Sequence, residues 1–561
     1  MPIVSTHSLT RPPSPILHTY QGREFDSHHL SIDEISDYIN TCDTRHGHSC
    51  REAIVPRPAH RILLIDVSRA CLIDVDVTES GAKYAALSYV WGSLDNTFQT
   101  TKSMINRLRQ PGSLDVTGTE SETIPNTIKD AIRLTSLLKI TYLWVDSICI
   151  VQDDDVTRNI HLNSMASIYA HAYVTFVAAE GNDANYGISG VENGSKSRNV
   201  HCRTIKTANG SRYLLKEHQK AWPIHSKWNS RGWTYQEALM SKRVLILDTL
   251  ASWQCSCSNW QEDTTMMTGG LLQTWVEDDV HLYRKPRILP NAREYPLKVW
   301  AHLVETYNER TLTRDEDAIN AFAGVMSVMR SYFQGGIMFG TPETHLYLGL
   351  LWKSHTTLRR RTAYDKSINR LPSWSWVGWQ GPLDLELWND FEQNRLYPLN
   401  TDNLSFPITV PSSPVVTRDP TLCCQLNCPH LYIRTTSHIC GICAHHEIKS
   451  DSRGFRLGRN NITEGFIYKL EDSKDLEVPK RGVFFGPIEI ELIAISVGQY
   501  KSHYLARFFS QYFDTKEDMI EMYNVLWVDR RGDTAYRRAL GLFCREAWES
   551  CALEHCTVKL G

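Results

Sequence analysis

Two absences limit what this chain can be: it has no long apolar run, and it has no strong excess of either charge. No stretch approaches the ~20 apolar residues that a membrane-spanning helix requires. Residues 1–20 are rich in Pro, Ser and Thr and lack the apolar run of a signal peptide. The formal net charge of −3 gives no reason to expect a basic face for nucleic acid. We therefore expect a cytoplasmic protein with no membrane span and no nucleic-acid partner.

The common nucleotide-binding and hydrolase motifs are also missing. The sequence contains no Walker-type Gly-Lys-Ser/Thr, no G-x-G-x-x-G after a strand and no G-x-S-x-G elbow. Kinase, classical dehydrogenase and α/β-hydrolase interpretations therefore have no support, and we expect no bound cofactor. No nucleotide-binding oligomerisation module is recognisable, so activation of the protein would need self-association or a partner chain.

The cysteine pattern favours reduced thiols. Fifteen is an odd number and argues against a complete disulfide framework. Two Cys/His groups contain the residue types that bind zinc: Cys42, His46, His48 and Cys50 in one, and Cys428, Cys440, Cys443 and His445 in the other. The first matches no standard finger and the second is an isolated half-site, so thiols without metal remain the default and no metal site is assigned. Cys255 and Cys257 are too close for both to chelate one zinc, which favours strand packing.

The chain is long enough for about two to four domains. We predict a flexible segment at 1–30, an α/β domain with an N-terminal extension at 31–250, a helical and Trp-rich region at 251–400 and a β-rich α+β region at 401–561. In the second part, strand-like runs alternate with helical patterns. The strands are predicted at Arg61–Asp66, Cys71–Val77, Tyr84–Val90, Thr141–Val145, Tyr173–Ala179 and Arg243–Leu247, and the helices at Asn126–Leu138 and Asp154–Tyr169. This alternation predicts a parallel sheet flanked by helices.

Four short blocks carry the most specific pattern. They are Tyr84–Gly92 (YAALSYVWG), Ile124–Ile132 running into Tyr142–Asp153 (YLWVDSICIVQD), Met165–Tyr169 (MASIY) and Arg231–Arg243 (RGWTYQEALMSKR). In this order and at these distances they resemble the fungal heterokaryon-incompatibility (HET) domain. Pro372–Trp379 and Tyr536–Gly541 are similar to the usual C-terminal region of these proteins, so the resemblance covers most of the chain.

The resemblance implies a fold and two alternative functions. HET domains are similar to TIR domains, which have a flavodoxin-like sheet. Family members trigger programmed cell death in fungal non-self recognition, so we expect an effector that self-associates or binds protein partners of the incompatibility system. Because some TIR relatives cleave NAD, an NAD glycohydrolase is the alternative, and the sequence leaves open whether the chain is an enzyme.

Ligands of an open parallel sheet bind beyond the carboxyl ends of its strands, which selects a first group of candidates. Asp146 directly follows the strand Thr141–Val145. The strand Tyr84–Val90 ends at the candidate binding residues Ser88, Tyr89, Trp91 and Gly92. A glycine after Trp91 permits a turn with positive φ and leaves the indole free to line a pocket. For Trp91 and Trp144, core packing is the alternative.

Glu237 is the first catalytic candidate and Asp146 the second. Cleavage of an N-glycosidic bond develops positive charge on the ribose, which a carboxylate stabilises. The structural alternative, favoured from the sequence, pairs Glu237 with Arg231 or Arg243, or places it at a helix end. Further candidates for binding NAD are Gln152, Arg231, Trp233 and Gln236. The acidic residues after Gln152 fit a helix start better than a metal site.

Overall fold

The structure is a computed structural model in which the chain divides into two compact units. The first unit comprises Met1–Arg287 with Asn320–Val328, and the second Ile288–Ile319 with Met329–Gly561. The structure describes residues 21–22, 26–58, 60–77, 81–92, 98–117, 123–191, 195–198, 202–206, 212–216, 226–262, 264–265, 295–333, 335–354, 356–362, 371–389, 397–398, 425–435, 447–450, 454–459, 462–468, 482–483, 488–505, 509, 519–550 and 554–561.

The first unit is built on strands interleaved with helices. Its strands are β1 (Gln21–Gly22), β2 (Ile62–Asp66), β3 (Cys71–Val75), β4 (Tyr84–Ser88), β5 (Tyr142–Val145), β6 (Val174–Ala178), β7 (Cys202–Lys206), β8 (Arg212–Lys216), β9 (Arg243–Leu247), β10 (Ala251–Cys255), β11 (Asn259–Gln261) and β12 (Thr264–Thr265). Its helices are α1 (Ile32–Arg45), α2 (His48–Arg51), α3 (Ile105–Leu108), α4 (Asn126–Leu137), α5 (Asp146–Cys149), α6 (Asp155–His171) and α7 (Gly232–Met240).

Eight of these strands form one sheet in the order β11-β10-β9-β6-β4-β5-β2-β3. The four central strands, β9, β6, β4 and β5, are parallel, whereas the pairs at both edges are antiparallel. Numbered along the chain, the parallel strands lie in the order 2-1-3-4, which is the flavodoxin-like arrangement with its switch point beside the first strand. The predicted α/β sheet is confirmed, with antiparallel edges added to it.

The sequence explains why these elements form. β4 and β6 are buried along their whole length, as apolar strands covered on both faces should be. α4 begins directly after Pro125 and buries one apolar stripe that includes Ile128, Ala131 and Ile132. The indole of Trp144 in β5 is fully buried and meets the ring of Tyr169 edge-on, with the ring centroids 5.4 Å apart. Trp144 is therefore a core residue.

The second unit is dominated by β-structure. Its strands are β13 (Ile337–Met338), β14 (Thr341–Pro342), β15 (Arg359–Arg360), β16 (Trp379–Gln380), β17 (Tyr397–Pro398), β18 (Gln425–Thr435), β19 (Glu447–Ser450), β20 (Gly454–Arg459), β21 (Ile462–Tyr468), β22 (Gly482–Val483), β23 (Ile488–Lys501), β24 (Met519–Arg531), β25 (Thr534–Cys544) and β26 (Glu554–Leu560). The helices of the second unit are α8 (Pro296–Asn308), α10 (Leu346–Gly349), α11 (Glu386–Asn389), α12 (Ser502–Leu505) and α13 (Arg545–Glu549), while α9 (Ala323–Met329) belongs to the first unit up to Val328. β17 to β26 join in one sheet, which confirms the predicted β-rich C-terminal region.

The Trp-rich segment of the second unit is a buried turn that its own side chains stabilise. Trp374, Trp376 and Trp379 are each at most 3% exposed. The indole N–H of Trp376 donates to the carbonyl of Gly340 at 2.7 Å, and that of Trp379 to the carbonyl of Ser373 at 2.8 Å. Aromatic area is thus buried while polar backbone groups keep partners, which makes this segment part of the core.

The flexible segment expected at 1–30 falls largely outside the described residues, which in this range are 21–22 and 26–30. Within the described part of the chain, no helix combines the length and the apolar character needed to cross a membrane.

Candidate functional site

The carboxyl ends of β4 and β5 bring the first candidates together. In the parallel register Leu87 lies beside Val145, so Ser88, the last residue of β4, and Asp146, the first residue after β5, lie at the same end of the sheet. α7 packs against β4 and α6 and carries Glu237 to this edge. Glu237 lies inside α7, not at either end, so the helix-end alternative does not apply.

A relay of hydrogen bonds joins Glu237 to the sheet. The hydroxyl of Ser88 donates to Oε2 of Glu237 at 2.5 Å, and the indole N–H of Trp228 donates to Oγ of Ser88 at 2.8 Å. Because Trp228 can only donate, the Ser88 proton is directed toward the carboxyl group. Trp228 is fully buried, and Glu237 is 5% exposed. The relay therefore fixes one carboxyl oxygen in a position from which water is largely excluded.

Asp146 is held by a second set of donors. The indole N–H of Trp91 donates to its Oδ2 at 2.8 Å, and the backbone N–H of Ser147 donates to its Oδ1 at 2.7 Å. The hydroxyl of Tyr89 donates to Oγ of Ser147 at 2.8 Å. Trp91 is half-buried, and its polar edge points at Asp146. Trp91 therefore faces the site, while Trp144 fills the core.

The two carboxyl groups share one electrostatic environment. Burial and, second, the charge of Asp146 together raise the pKa of Glu237 to about 7, against the opposing effects of Ser88 and Arg231. Burial likewise raises the pKa of Asp146 to about 6, against hydrogen bonds from Ser147 and Trp91 and the charge of Arg231. Carboxyl pairs with pKa values raised toward neutrality are typical of catalytic sites, although buried structural networks produce the same shifts.

The raised pKa of Glu237 makes a stability prediction. In the folded protein this carboxyl keeps its proton up to about pH 7, whereas in the unfolded chain it loses it near 4.5. The folded state thus binds more protons between these values, and the free energy of unfolding falls as pH rises through that window. Because an amide does not titrate, Glu237→Gln removes this pH-dependent fall in the free energy of unfolding. We expect the variant to be more stable than wild type above pH 7 by on the order of 3 kcal/mol, measured by chemical denaturation.

The same measurement below pH 4.5 is the internal control, because there wild type carries a neutral carboxylic acid of nearly the same shape as the amide. The two proteins should then agree in stability. An equal difference at both pH values would mean that the amide acts through packing and not through charge, and would contradict the assigned environment.

Gln152 and Gly92 shape the loops that carry the site. The side-chain amide of Gln152 donates to the carbonyl oxygens of Asp146 at 3.0 Å and Ile150 at 3.2 Å. It therefore supports the turn after β5. Gly92 has φ +91°, as expected after Trp91, and a Cβ there would lie 2.6 Å from Cβ of Asp183. Only glycine fits this position without displacing a neighbouring backbone.

The fourth block contributes Arg231 to the site besides Glu237, whereas other side chains of the block make contacts elsewhere. Arg231 lies at the N-terminal end of α7, where its charge lowers the pKa of both carboxyl groups. The side chain of Gln236 instead accepts from the backbone N–H of Gly324 at 3.2 Å. Trp233 is partly buried against the core of the first unit. Arg243, the other suggested partner of Glu237, is paired with Asp43 at 2.5 Å.

Three further residues contribute to the site but are not singled out by the sequence pattern: Trp228, Ser147 and Tyr169. Trp228 lies only three positions before the fourth block, but nothing in its local pattern marks a hydrogen bond to Ser88. Ser147 belongs to the second block. The hydroxyl of Tyr169, at the end of the third block, donates to the carbonyl of Leu87 at 3.0 Å. These three residues are identified by their proximity to Asp146 and Glu237, which the fold shows and the sequence pattern does not.

The acidic loop after Gln152 is explained without a metal ion. Oδ1 of Asp153 accepts the backbone N–H of Lys102 at 2.8 Å. Oδ2 of Asp154, which precedes α6, accepts the hydroxyl of Thr157 at 2.6 Å. In the second Cys/His group, Cys440, Cys443 and His445 lie outside the described residues.

Comparison with known proteins adds one result to this geometry. Neither the curated proteins nor the solved structures gave a significant match. A family model described as heterokaryon incompatibility protein (HET) matches residues 84–237. This range begins at β4, includes Ser88 and Asp146, ends at Glu237 and lies inside the predicted 31–250 segment. The chain therefore carries a heterokaryon incompatibility (HET) domain and has a role related to heterokaryon incompatibility.

Proposed function

We propose that this chain is an effector of fungal incompatibility whose HET domain self-associates or binds partner proteins and then hydrolyses the nicotinamide–ribose bond of NAD. The observation that carries the chemical part is the hydrogen bond from Ser88 to the buried carboxyl of Glu237, near the half-buried residue Asp146. TIR domains, which HET domains resemble, include NAD-cleaving members.

The chemistry requires an anionic group beside the ribose. As the C–N bond breaks, nicotinamide leaves with the bonding electrons and positive charge develops on the ribose ring. An ionised Glu237 would stabilise that charge, and Ser88 would hold the carboxylate in place. Water then adds to the ribose carbon, which gives ADP-ribose and releases one proton. Arg231 places positive charge at the same edge, where a pyrophosphate would bind.

The burial of Glu237 links this activity to assembly. At 5% exposure the carboxyl is closed to a dinucleotide, so neighbouring residues must move before substrate can reach it. We therefore expect the isolated protein to be inactive and the assembled protein to be active. This arrangement suits a death effector, because a permanently active NAD hydrolase would harm its own cell.

The test is nicotinamide release from NAD by the purified full-length chain, measured chromatographically over a range of protein concentrations. The fraction of assembled protein is followed in parallel by light scattering. The proposal expects release to rise with the assembled fraction. Assembly without any release would remove the enzymatic part of the proposal, and a monomer that is inert at every concentration and harmless on expression would remove the effector part.

Activity should depend on pH through Glu237. The carboxylate is the active form, and its pKa is raised to about 7 by burial and by the charge of Asp146. Nicotinamide release is therefore expected to increase as pH rises through about 7, and a profile already flat from pH 4.5 upward would contradict this role of Glu237. Substrate saturation at each pH separates the chemical step from binding.

One observation favours a second candidate, a module that signals by contact alone. Ser88, Trp228 and Glu237 form a hydrogen-bonded network in the interior, and such networks also serve to specify a fold. Expression of wild type and Glu237→Gln in a fungal host separates the two candidates. Death from both at equal protein levels would favour contact alone, whereas death from wild type only would favour chemistry.

A further inference from the structure

Outside this site, four sulfur and nitrogen ligands converge within the first unit. They are Cys42 in α1, His46 at the end of α1, Cys50 in α2 and Cys255 at the end of β10. One ligand atom from each lies within 4.8 Å of the others. We propose that these residues bind a single zinc ion in a tetrahedral site with three cysteine ligands and one histidine ligand.

The grouping differs from the one that sequence spacing suggests. His48 lies away from the cluster, with its side chain 90% exposed and its Nδ1 paired with Glu52 at 3.1 Å. Cys255 takes its place, brought in by the fold from the far edge of the sheet. The same fold resolves the difficulty with the Cys255-Ser-Cys257 pair, because only one of its two thiols belongs to the cluster.

Two distances between a nitrogen and a sulfur ligand atom fit zinc. With Zn–S near 2.3 Å and Zn–N near 2.0–2.1 Å, a tetrahedral ion separates sulfur from nitrogen by roughly 3.5 Å. Nδ1 of His46 lies 3.5 Å from Sγ of Cys255 and 3.7 Å from Sγ of Cys50. The three thiols are buried and the imidazole is half-buried, and these four protein ligands would complete a tetrahedral shell. Four protein ligands are typical of a structural zinc site.

The groups around the ligands suit a charged zinc–thiolate centre. Nε of Arg243 donates to Sγ of Cys42 at 3.1 Å, and the backbone N–H of Ser258 donates to Sγ of Cys255 at 3.2 Å. Donors of this kind orient metal ligands and stabilise thiolates. Zinc with three thiolates carries one net negative charge. Arg243 and Lys83 share Asp43 and so leave one net positive charge beside it.

The ion would connect segments that are distant in the sequence. α1 and α2 belong to the N-terminal extension, whereas β10 pairs with β9 in the sheet. A zinc ion would connect the N-terminal extension to the edge of the sheet, and its binding free energy would stabilise the folded state. This proposal does not depend on NAD chemistry.

The first experiment measures zinc in the full-length chain, purified under reducing conditions from zinc-supplemented culture. We expect about one zinc per chain by elemental analysis, as for other four-ligand structural sites. Cobalt exchanged into the site should give the strong visible bands of tetrahedral coordination and a thiolate-to-cobalt charge-transfer band. Absence of stoichiometric zinc together with absence of these cobalt bands would overturn the proposal.

Matched variants assign the ligands. Cys255→Ser and His46→Gln should each weaken zinc binding, in competition with a chromophoric chelator, by more than the roughly 10- to 100-fold that loss of a supporting contact costs. Cys149→Ser is the control, because Cys149 is buried outside the cluster and its loss should leave zinc content unchanged. If Cys255→Ser fails to fold, His46→Gln still tests the site, because a substitution at the half-buried His46 disturbs the core less. Full zinc affinity in His46→Gln, or a disulfide among the three thiols in freshly purified protein, would contradict the site.

Discussion

Replacing Glu237 by Gln is expected to lower nicotinamide release by the assembled protein about 100- to 1000-fold, the cost of removing a group that stabilises transition-state charge. The amide keeps the shape of the side chain and can still accept the Ser88 hydroxyl bond, but it cannot become negative. The loss should fall on kcat, because Glu237 acts on a charge that exists only in the transition state.

Two companion variants make this result specific. Ser88→Ala removes the donor that holds the carboxylate and should lower release less than Glu237→Gln does. Asp146→Asn removes the negative charge that raises the pKa of Glu237, so it should shift the pH profile to lower pH. If Glu237→Gln and wild type release nicotinamide at equal rates, Glu237 has no part in the mechanism. An unshifted profile in Asp146→Asn would mean that the two carboxyl groups are not coupled.

The largest effect on stability is expected at Glu262, which pairs with Arg198 in the interior of the first unit. Their side chains are 2% and 1% exposed, and the two groups make a bidentate contact at 2.8 and 2.5 Å. Glu262→Gln would leave the Arg198 guanidinium buried without a compensating charge. The free energy of unfolding should therefore fall by about 3–5 kcal/mol, measured by urea denaturation.

An exposed ion pair provides the matched control. Arg61 and Asp74 contact each other at 2.9 Å, but their side chains are 57% and 45% exposed. Asp74→Asn should therefore change the free energy of unfolding by less than about 1 kcal/mol. Equal losses in Glu262→Gln and Asp74→Asn would show that burial does not set the cost, and would count against the interior placement of Arg198.

Several strands and helices of the first unit follow from local pattern. Arg243–Leu247 is predicted to the residue, and Asn126–Leu138 is one residue too long, because dense β-branched and apolar runs and a proline before a helix act locally. The position of Asp146 and Ser88 at one edge also follows, since parallel strands align their carboxyl ends. What the pattern does not contain is the antiparallel edge at β10 and β11, which depends on contacts between neighbours in space.

Side-chain partners were much harder to predict. The sequence favoured an arginine partner for Glu237, whereas the structure places Ser88 on its carboxyl and pairs Arg243 with Asp43. The contact between Ser88 and Glu237 joins residues from the first and fourth blocks. Local spacing in the sequence does not predict contacts between residues so far apart in the chain. Cys255 is missing from the sequence-based Cys/His group for the same reason. Long-range contacts of this kind are set by the fold as a whole and not by any single segment.

The carboxyl of Glu237 lies in a desolvated site beside Asp146. Infrared difference spectra of wild type minus Glu237→Gln, recorded across a pH titration, report the protonation of this one group. For a desolvated Glu237 we expect a protonated-carboxyl band that disappears with a midpoint near pH 7. A midpoint at or below the ordinary glutamate value of 4.5 would contradict it, because the carboxyl would then be hydrated or paired with a cation.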